Sequence, residues 1–121
     1  MTHDLDDPTT WPGTTLVVRG GVNTLEELRD ALQRFGGTSV LSRPGARFED
    51  LAASVRNNRV RRTTVAAILN AGGWLVPTNG EGEPPNHCNL FGLTAESLDH
   101  ILSSPEPNPV QKDERWRGAP R

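Results

Sequence analysis

The sequence has few of the residues that mark several protein classes. Its 121 residues include one cysteine, Cys88, and no tyrosine, and only 5% are aromatic. A single cysteine excludes an internal disulfide framework. With so few aromatic side chains, the core must be built mainly from leucine, valine, alanine and isoleucine. No apolar run approaches the roughly 20 residues of a membrane-spanning helix, so we expect no membrane association.

The chain also lacks a strong excess of either charge. Lysine and arginine total 13, aspartate and glutamate total 15, and the formal net charge is −2. This balance argues against a chain whose role is to coat nucleic acid or an anionic membrane. The first ten residues, "MTHDLDDPTT", are acidic and polar, unlike a secretory signal peptide. We expect a cytoplasmic protein, acting in its own cell or delivered into a target cell.

Strand-like and helix-like segments alternate along the sequence. Short β-branched or apolar runs indicate strands at "TTLVV", "TSVLS", "NRVRRT", "WLVPT" and "HCNLFGL". Apolar residues at helical spacing indicate helices at "NTLEELRDALQRF", "FEDLAASV", "TVAAILN" and "TAESLDHIL". The alternation predicts an α+β (mixed α/β) fold, with a small sheet of about five short strands and three to four helices.

Composition divides the chain into three parts. Residues 1–13 show no periodicity and are predicted to be a flexible N-terminal arm, with Trp11 able to pin it to the body. Residues 14–102 form a single α/β domain in this interpretation. Residues 103–121 are rich in proline and charge and are predicted to be an extended or disordered tail.

The first helix has the clearest start and stop signals in the sequence. Thr24 and Glu27 have the spacing of a capping box, in which each side chain accepts a hydrogen bond from the other residue's backbone N–H. Gly36 and Gly37 follow the last apolar position and are typical of a helix end. The helix is therefore predicted to begin just after Thr24 and to end before Gly36.

The stretch "LVVRGG" places an arginine at the end of a buried strand. Arg19 is either a strand-end side chain in solvent or a planar fork for a phosphate or carboxylate. Gly20 and Gly21 would let a ligand approach the backbone closely. Ser39 and Ser42 lie an odd number of residues apart, so they face opposite sides of their strand. We expect Ser39 to share a pocket with Arg19.

Four arginines cluster in "RNNRVRRTT", namely Arg56, Arg59, Arg61 and Arg62. If Val60 faces inward, Arg59 and Arg61 point to solvent and Arg62 shares the side of Val60. Such a cluster suits a phosphate backbone, or a protein partner such as an acidic antitoxin or immunity protein. Nucleic acid is the less favoured partner, because no aromatic residue interleaves the arginines to stack on bases.

The segment "NGEGEPPNHC" supplies an imidazole and two carboxylates. His87 and Cys88 are adjacent on a predicted strand and face opposite sides, so they do not share a metal, and no zinc spacing occurs. Cys88 is interpreted as a small buried apolar residue. His87 either hydrogen-bonds a ligand or caps the loop. Glu81 and Glu83 suit acid/base chemistry or the orientation of a ribose hydroxyl, or are simply solvated.

In their order, four segments resemble the small bacterial effector toxins that type VI secretion delivers and that have an ADP-ribosyltransferase-like fold. These segments are "LVVRGG", "GGTSVLSRPG", "WLVPTNGEGEPPN" and "HCNLFGL". The resemblance covers about half of the chain. It implies a split sheet and NAD as the substrate, with Arg19 and Ser39 holding the dinucleotide. It also implies that Glu83 stabilises the positive charge of the reacting ribose and that His87 lies on a neighbouring strand. We expect Glu83 and His87 to be the catalytic residues.

The sequence departs from that family at its serine stretch, which reads "TSV", and the segment from Ala46 to Gly73 has no counterpart. The leading interpretation is a toxin-like enzyme that transfers ADP-ribose or cleaves NAD and so inhibits growth, without a metal. One alternative is a non-catalytic binding module, similar to an immunity protein or antitoxin, that uses the four arginines. The other is a ribonuclease-type toxin that combines those arginines with His87.

Overall fold

Within the described part of the chain, six strands form one antiparallel sheet. The structure, a computed structural model, describes residues 4–78 and 82–110. The strands are β1 (Leu16–Gly20), β2 (Thr38–Ser42), β3 (Arg59–Thr64), β4 (Trp74–Pro77), β5 (His87–Phe91) and β6 (Glu106–Pro107). Their order across the sheet is β4-β5-β2-β1-β3-β6. β1 and β2 therefore lie at the centre, and the arginine-bearing β3 follows on one side.

Residues 4–78 and 82–110 also contain four α-helices, which confirm the α+β class. They are α1 (Leu25–Phe35), α2 (Phe48–Ala52), α3 (Val65–Asn70) and α4 (Ala95–Ile101). A 3₁₀ turn over Pro8–Thr10 precedes β1. The sheet has six strands rather than five, because Glu106–Pro107 pairs with the outer edge of β3. Among the described residues, no helix is both long enough and apolar enough to cross a membrane.

The predicted limits of α1 are confirmed. The Thr24 hydroxyl accepts a hydrogen bond from the Glu27 N–H at 3.2 Å, and Glu27 Oε1 accepts one from the Thr24 N–H at 2.9 Å. Gly36 ends the helix in the left-handed region, with φ of 72°. Only glycine adopts that conformation without steric cost, which explains why α1 ends there.

Two apolar clusters sandwich the sheet, because neighbouring residues of a strand point to opposite faces. Val17 lies in the larger cluster, with α1, α3 and α4, while Val18 lies in the smaller one with α2. We call these two sides the three-helix face and the α2 face. The principal members of the larger cluster are Val17, Leu28, Val40, Ile68, Leu90 and Leu98. The α2 face is built from Val18, Leu41, Leu51, Val55 and Val60.

The packed body extends beyond residues 14–102 in both directions. Trp11 is buried, and its Nε1 donates to the carbonyl oxygen of Asp4 at 2.9 Å. Asn108 is also buried, and its amide donates to the carbonyl oxygens of Val55 and Asn57 at 3.2 and 3.0 Å. Parts of the expected arm and tail therefore pack on the domain, while residues 111–121 lie outside the described part of the chain.

Candidate functional site

The two central strands separate at one end of the sheet. Their register pairs Val17 with Ser42 and Val18 with Leu41, although β1 continues to Gly20 and β2 begins at Thr38. Beyond that point, Nη1 of Arg19 donates to the carbonyl oxygen of Ser39 at 2.8 Å. The guanidinium group thus connects β1 and β2 at the point where their backbone hydrogen bonds end. Arg19 and Ser39 meet at this opening, as expected.

Arg19 is a partly buried cation with unused hydrogen-bond donors. A guanidinium has five N–H donors; Nε binds Asn23 Oδ1 at 2.7 Å and Nη1 binds Ser39, which leaves three without a partner among the described residues. No described carboxylate forms an ion pair with it. Burial lowers the pKa of Arg19, and the charge of Glu27 partly opposes this. Such a group is suited to bind an anion.

Asn23 holds Arg19 in place and was not identified from the sequence. It is buried, and its φ of 53° lies in the left-handed region, which asparagine tolerates better than most residues. Its amide donates to the carbonyl oxygens of Gly20 and Gly21, both at 3.0 Å. Its own carbonyl accepts from Nη1 of Arg61 at 2.8 Å. The one feature of the sequence that could have indicated this role is the position of the asparagine, directly before the helix-capping Thr24.

The four residues predicted to form an active site line one cavity of about 350 Å³. Arg19 comes from β1, Ser39 from β2, His87 from β5, and Glu83 from the loop before β5. We call this space the His87 cavity. Arg56 also lines it, which brings a second arginine to the same space. The cavity is within the size range typical of small-molecule sites.

His87 and Glu83 form a carboxylate–imidazole pair at the wall of this cavity. Nε2 of His87 lies 3.6 Å from Oε1 of Glu83, and the side chains are 5% and 46% exposed. Nδ1 of His87 lies 3.1 Å from the Thr78 hydroxyl. Nε2 is buried and has no hydrogen-bond partner among the described residues. His87 therefore contacts the loop and also presents a ring nitrogen to a carboxylate. Glu81 lies outside the described residues.

The expectation that Arg61 points to solvent is wrong. Its side chain is 7% exposed, and it donates to Asp99 Oδ1 at 2.8 Å and to the carbonyl oxygen of Ser103 at 2.6 Å. It also donates to backbone carbonyl oxygens of Asn23, Asp99 and Leu102. The carbonyl groups at the end of a helix lack partners within the helix, and Arg61 supplies donors to those of α4.

The other three arginines have separate surroundings. Arg62 lies on the Val60 side as expected, 4.2 Å from the Phe48 ring centroid and 3.1 Å from Glu106. Arg59 is exposed, and Arg56 is exposed at the rim of the His87 cavity. The four guanidinium groups therefore do not form one continuous surface.

Gly20 makes room for a neighbouring loop. A Cβ atom there would lie 2.5 Å from Val55 Cγ1 and from Asn57 Oδ1. The space that the sequence suggested for a ligand at Gly20 is thus occupied by side chains between α2 and β3. The close approach places Asn57 beside Arg19 in the lining of the His87 cavity.

Cys88 faces away from this cavity. It belongs to the cluster on the three-helix face, whereas its neighbour His87 lines the cavity on the α2 face. Burial raises the pKa of the Cys88 thiol to about 11. Among the described residues, no group of three or more histidine, cysteine, aspartate or glutamate side chains is placed to hold a metal ion.

The buried thiol sets an expected pH dependence. Because folding raises its pKa from 9.0 to about 11, its contribution to the free energy of unfolding is complete below pH 9.0 and declines as the pH rises towards 11. We expect iodoacetamide to alkylate Cys88 far more slowly in the native protein than in the urea-unfolded protein at about pH 8.

The same thiol should affect stability at high pH. Between pH 9.0 and about 11, the free energy of unfolding measured in urea should fall less in Cys88→Ala than in the parent protein. Equal decreases in the two proteins would contradict this expectation.

No known family, curated protein or solved structure matches the chain at a significant level, either by sequence or by structure. The resemblance to the toxin family thus rests on the four quoted segments alone. Function has to be inferred from the chemistry of the His87 cavity.

Proposed function

We propose that the protein is an enzyme that acts on NAD, either transferring ADP-ribose to a target or cleaving NAD to ADP-ribose and nicotinamide. In this proposal it is a bacterial toxin-like protein that inhibits growth in the cytoplasm of its own or a target cell. An antitoxin or immunity protein would restrain it. The toxin role, the location and the partner follow from the resemblance, whereas the chemistry is supported by the cavity.

The observation that carries the proposal is the state of Arg19. This partly buried guanidinium has donors without a partner among the described residues. No described carboxylate forms an ion pair with it, and burial lowers its pKa. The charge of Glu27 offsets the burial of this cation only in part, so an anionic ligand would stabilise this end of the sheet. Arg56 lines the same cavity, and two guanidinium groups match the two charges of a pyrophosphate.

The remaining residues suit cleavage of a glycosidic bond. When the bond between nicotinamide and ribose breaks, nicotinamide leaves with the bonding electrons and positive charge develops on the ribose carbon. The Glu83 carboxylate stabilises that charge, and Ser39 orients the ribose. Water or a target nucleophile then attacks the carbon, and its proton passes to Glu83. Nε2 of His87, which lies 3.6 Å from Glu83 Oε1, accepts that proton when the two groups close to hydrogen-bond distance.

The alternatives based on the arginine cluster have less support. Arg61 is buried in contacts with α4, and Arg62 is engaged by Phe48 and Glu106. A binding module or a ribonuclease would have to use the two exposed members, Arg56 and Arg59. Arg59→Ala separates the proposals, because it should leave NAD chemistry unchanged but weaken a salt-dependent contact with nucleic acid or an acidic partner.

Thermal melting with NAD and detection of released nicotinamide test the proposal. NAD at a hundred times its dissociation constant should stabilise the protein by about 2.7 kcal/mol. Glu83→Gln should keep this stabilisation but release nicotinamide about 100-fold more slowly, because the neutral amide cannot offset the developing charge. Chromatography of the reaction mixture measures the product.

Glu26→Gln is the matched control, since Glu26 is an exposed carboxylate in the first turn of α1. It should melt and release nicotinamide like the parent protein. Absence of both stabilisation by NAD and nicotinamide release from the parent would refute the proposal. Equal rates in Glu83→Gln and the parent would remove Glu83 from the mechanism.

A further inference from the structure

A second cavity adjoins the His87 cavity at Arg19 and Ser39. Its volume is about 380 Å³, and the two residues line both spaces. The second space continues towards the end of α1, where Phe35, Thr38, Asn89 and Phe91 complete its wall. We call it the Phe91 cavity. The partly buried guanidinium of Arg19 therefore lies at the junction of two spaces, each at the lower end of the size range for small-molecule sites.

Two phenylalanine rings give the Phe91 cavity apolar surface. Phe35 is the last residue of α1 and is 75% exposed, so it contributes little to the core. Phe91 is partly buried; its ring packs on Gly37, where a Cβ atom would lie 2.5 Å from Cδ1 of Phe91. A tilted contact with Trp74, at 6.1 Å between ring centroids, supports Phe91 further. A planar aromatic ligand is the occupant that such surfaces favour.

Unpartnered polar groups lie beside these rings. The side-chain amide of Asn89 is partly buried and makes no hydrogen bond to another described residue, and Asn89 lies opposite Ser39 in the register of β2 and β5. The Thr38 hydroxyl is buried, also without a partner in the described part of the chain. An amide presents a donor and an acceptor side by side, which complements the amino group and adjacent ring nitrogen of adenine.

We propose that the Phe91 cavity binds the adenine base of the dinucleotide. This inference rests on the proposed function and deepens it by assigning the two halves of the ligand. The adenine lies beside Phe35 and Phe91 and is read by Asn89, while Arg19 at the junction binds the pyrophosphate. The nicotinamide ribose lies in the His87 cavity, because Glu83 and His87 line that cavity and are not among the residues of the other.

Binding of ligand fragments tests this assignment. Calorimetric titration with AMP, nicotinamide mononucleotide and ribose 5-phosphate separates the contribution of the base to binding affinity from that of the phosphate. We expect AMP to bind more tightly than ribose 5-phosphate. Phe35→Ala should weaken AMP about tenfold, the order of effect expected for loss of an aromatic stacking partner, and leave nicotinamide mononucleotide unchanged. Because the Phe35 side chain is exposed, Phe35→Ala should fold like the parent protein.

Asn89→Ala provides a second, independent variant, and Leu69→Ala, which removes an exposed apolar side chain from α3, is the control. In steady-state assays, Phe35→Ala and Asn89→Ala should raise KM for NAD about tenfold with kcat unchanged. The control should alter neither constant.

The outcomes distinguish this inference from the proposed function. If NAD is cleaved but both variants bind AMP and NAD like the parent, the adenine assignment is overturned and the proposed function stands. If ribose 5-phosphate binds as tightly as AMP, the base makes no contact and the assignment also fails. If the parent binds none of these ligands and releases no nicotinamide, both proposals fail together.

Discussion

Arg61→Ala should lower the free energy of unfolding by about 3 kcal/mol, a large effect for one side chain. The substitution removes donors from Asp99, Ser103 and Asn23, whose contacts with Arg61 are 2.6 to 2.8 Å long. Buried carbonyl groups then lose their partners. The Asp99 side chain is 42% exposed, so water can solvate its carboxylate, which keeps the loss below that of a fully buried ion pair.

Arg59→Ala is the matched control, on the same strand two residues away. Its side chain is exposed, and the free energy of unfolding should change by no more than about 0.5 kcal/mol. Urea denaturation of both variants measures the difference. Arg61→Lys should recover only part of the stability, because an ammonium group cannot reproduce the planar fork. Equal midpoints for Arg59→Ala and Arg61→Ala would show that the network around Arg61 contributes nothing.

Arg19→Ala should abolish stabilisation by NAD and lower kcat/KM for nicotinamide release about 1,000-fold. It removes the guanidinium at the junction of the two cavities, where charge-assisted hydrogen bonds to the pyrophosphate are expected. Folding should be affected much less. Arg19 lies directly opposite Arg61 in the register of β1 and β3, and removal of one of two facing cations relieves repulsion that offsets the lost hydrogen bonds.

Arg34→Ala is the control for this experiment, since Arg34 is an exposed arginine of α1 that pairs with Asp30. It should bind and cleave NAD like the parent protein. Thermal melts with and without NAD and a nicotinamide release assay give the comparison. Retained nicotinamide release in Arg19→Ala would remove the guanidinium from the reaction and leave its bond to Ser39 as a structural bridge between β1 and β2.

Arg19 and Arg61 are coupled through Asn23. Arg19 donates to its side-chain oxygen at 2.7 Å, and Arg61 donates to its main-chain oxygen at 2.8 Å. A loss of stability in Arg61→Ala should therefore be accompanied by weaker ligand binding, although Arg61 lines neither described cavity. Asn23 connects the structural network on the three-helix face to the site at the strand ends.

Local patterns in the sequence were sufficient for much of the fold. The ends of α1 follow from local contacts. The capping box of Thr24 and Glu27 supplies hydrogen-bond partners to backbone N–H groups at its start, and Gly36 ends it in the left-handed conformation. In "TLVVRG", Val17 and Val18 lie on opposite faces of the sheet because successive side chains of a strand alternate, which is also a local property. The short strand at Glu106–Pro107 was missed because its existence depends on pairing with β3, which is distant in sequence.

For the site, the sequence by itself determined the chemistry of the side chains, and only the tertiary structure decided which of them meet. Arg19, Ser39, Glu83 and His87 come together because β2 lies between β1 and β5, an order that no local pattern specifies. The buried position of Arg61 likewise depends on α4 packing against its strand. Long-range strand pairing and helix packing fix these neighbours, whereas periodicity and capping act within a few residues.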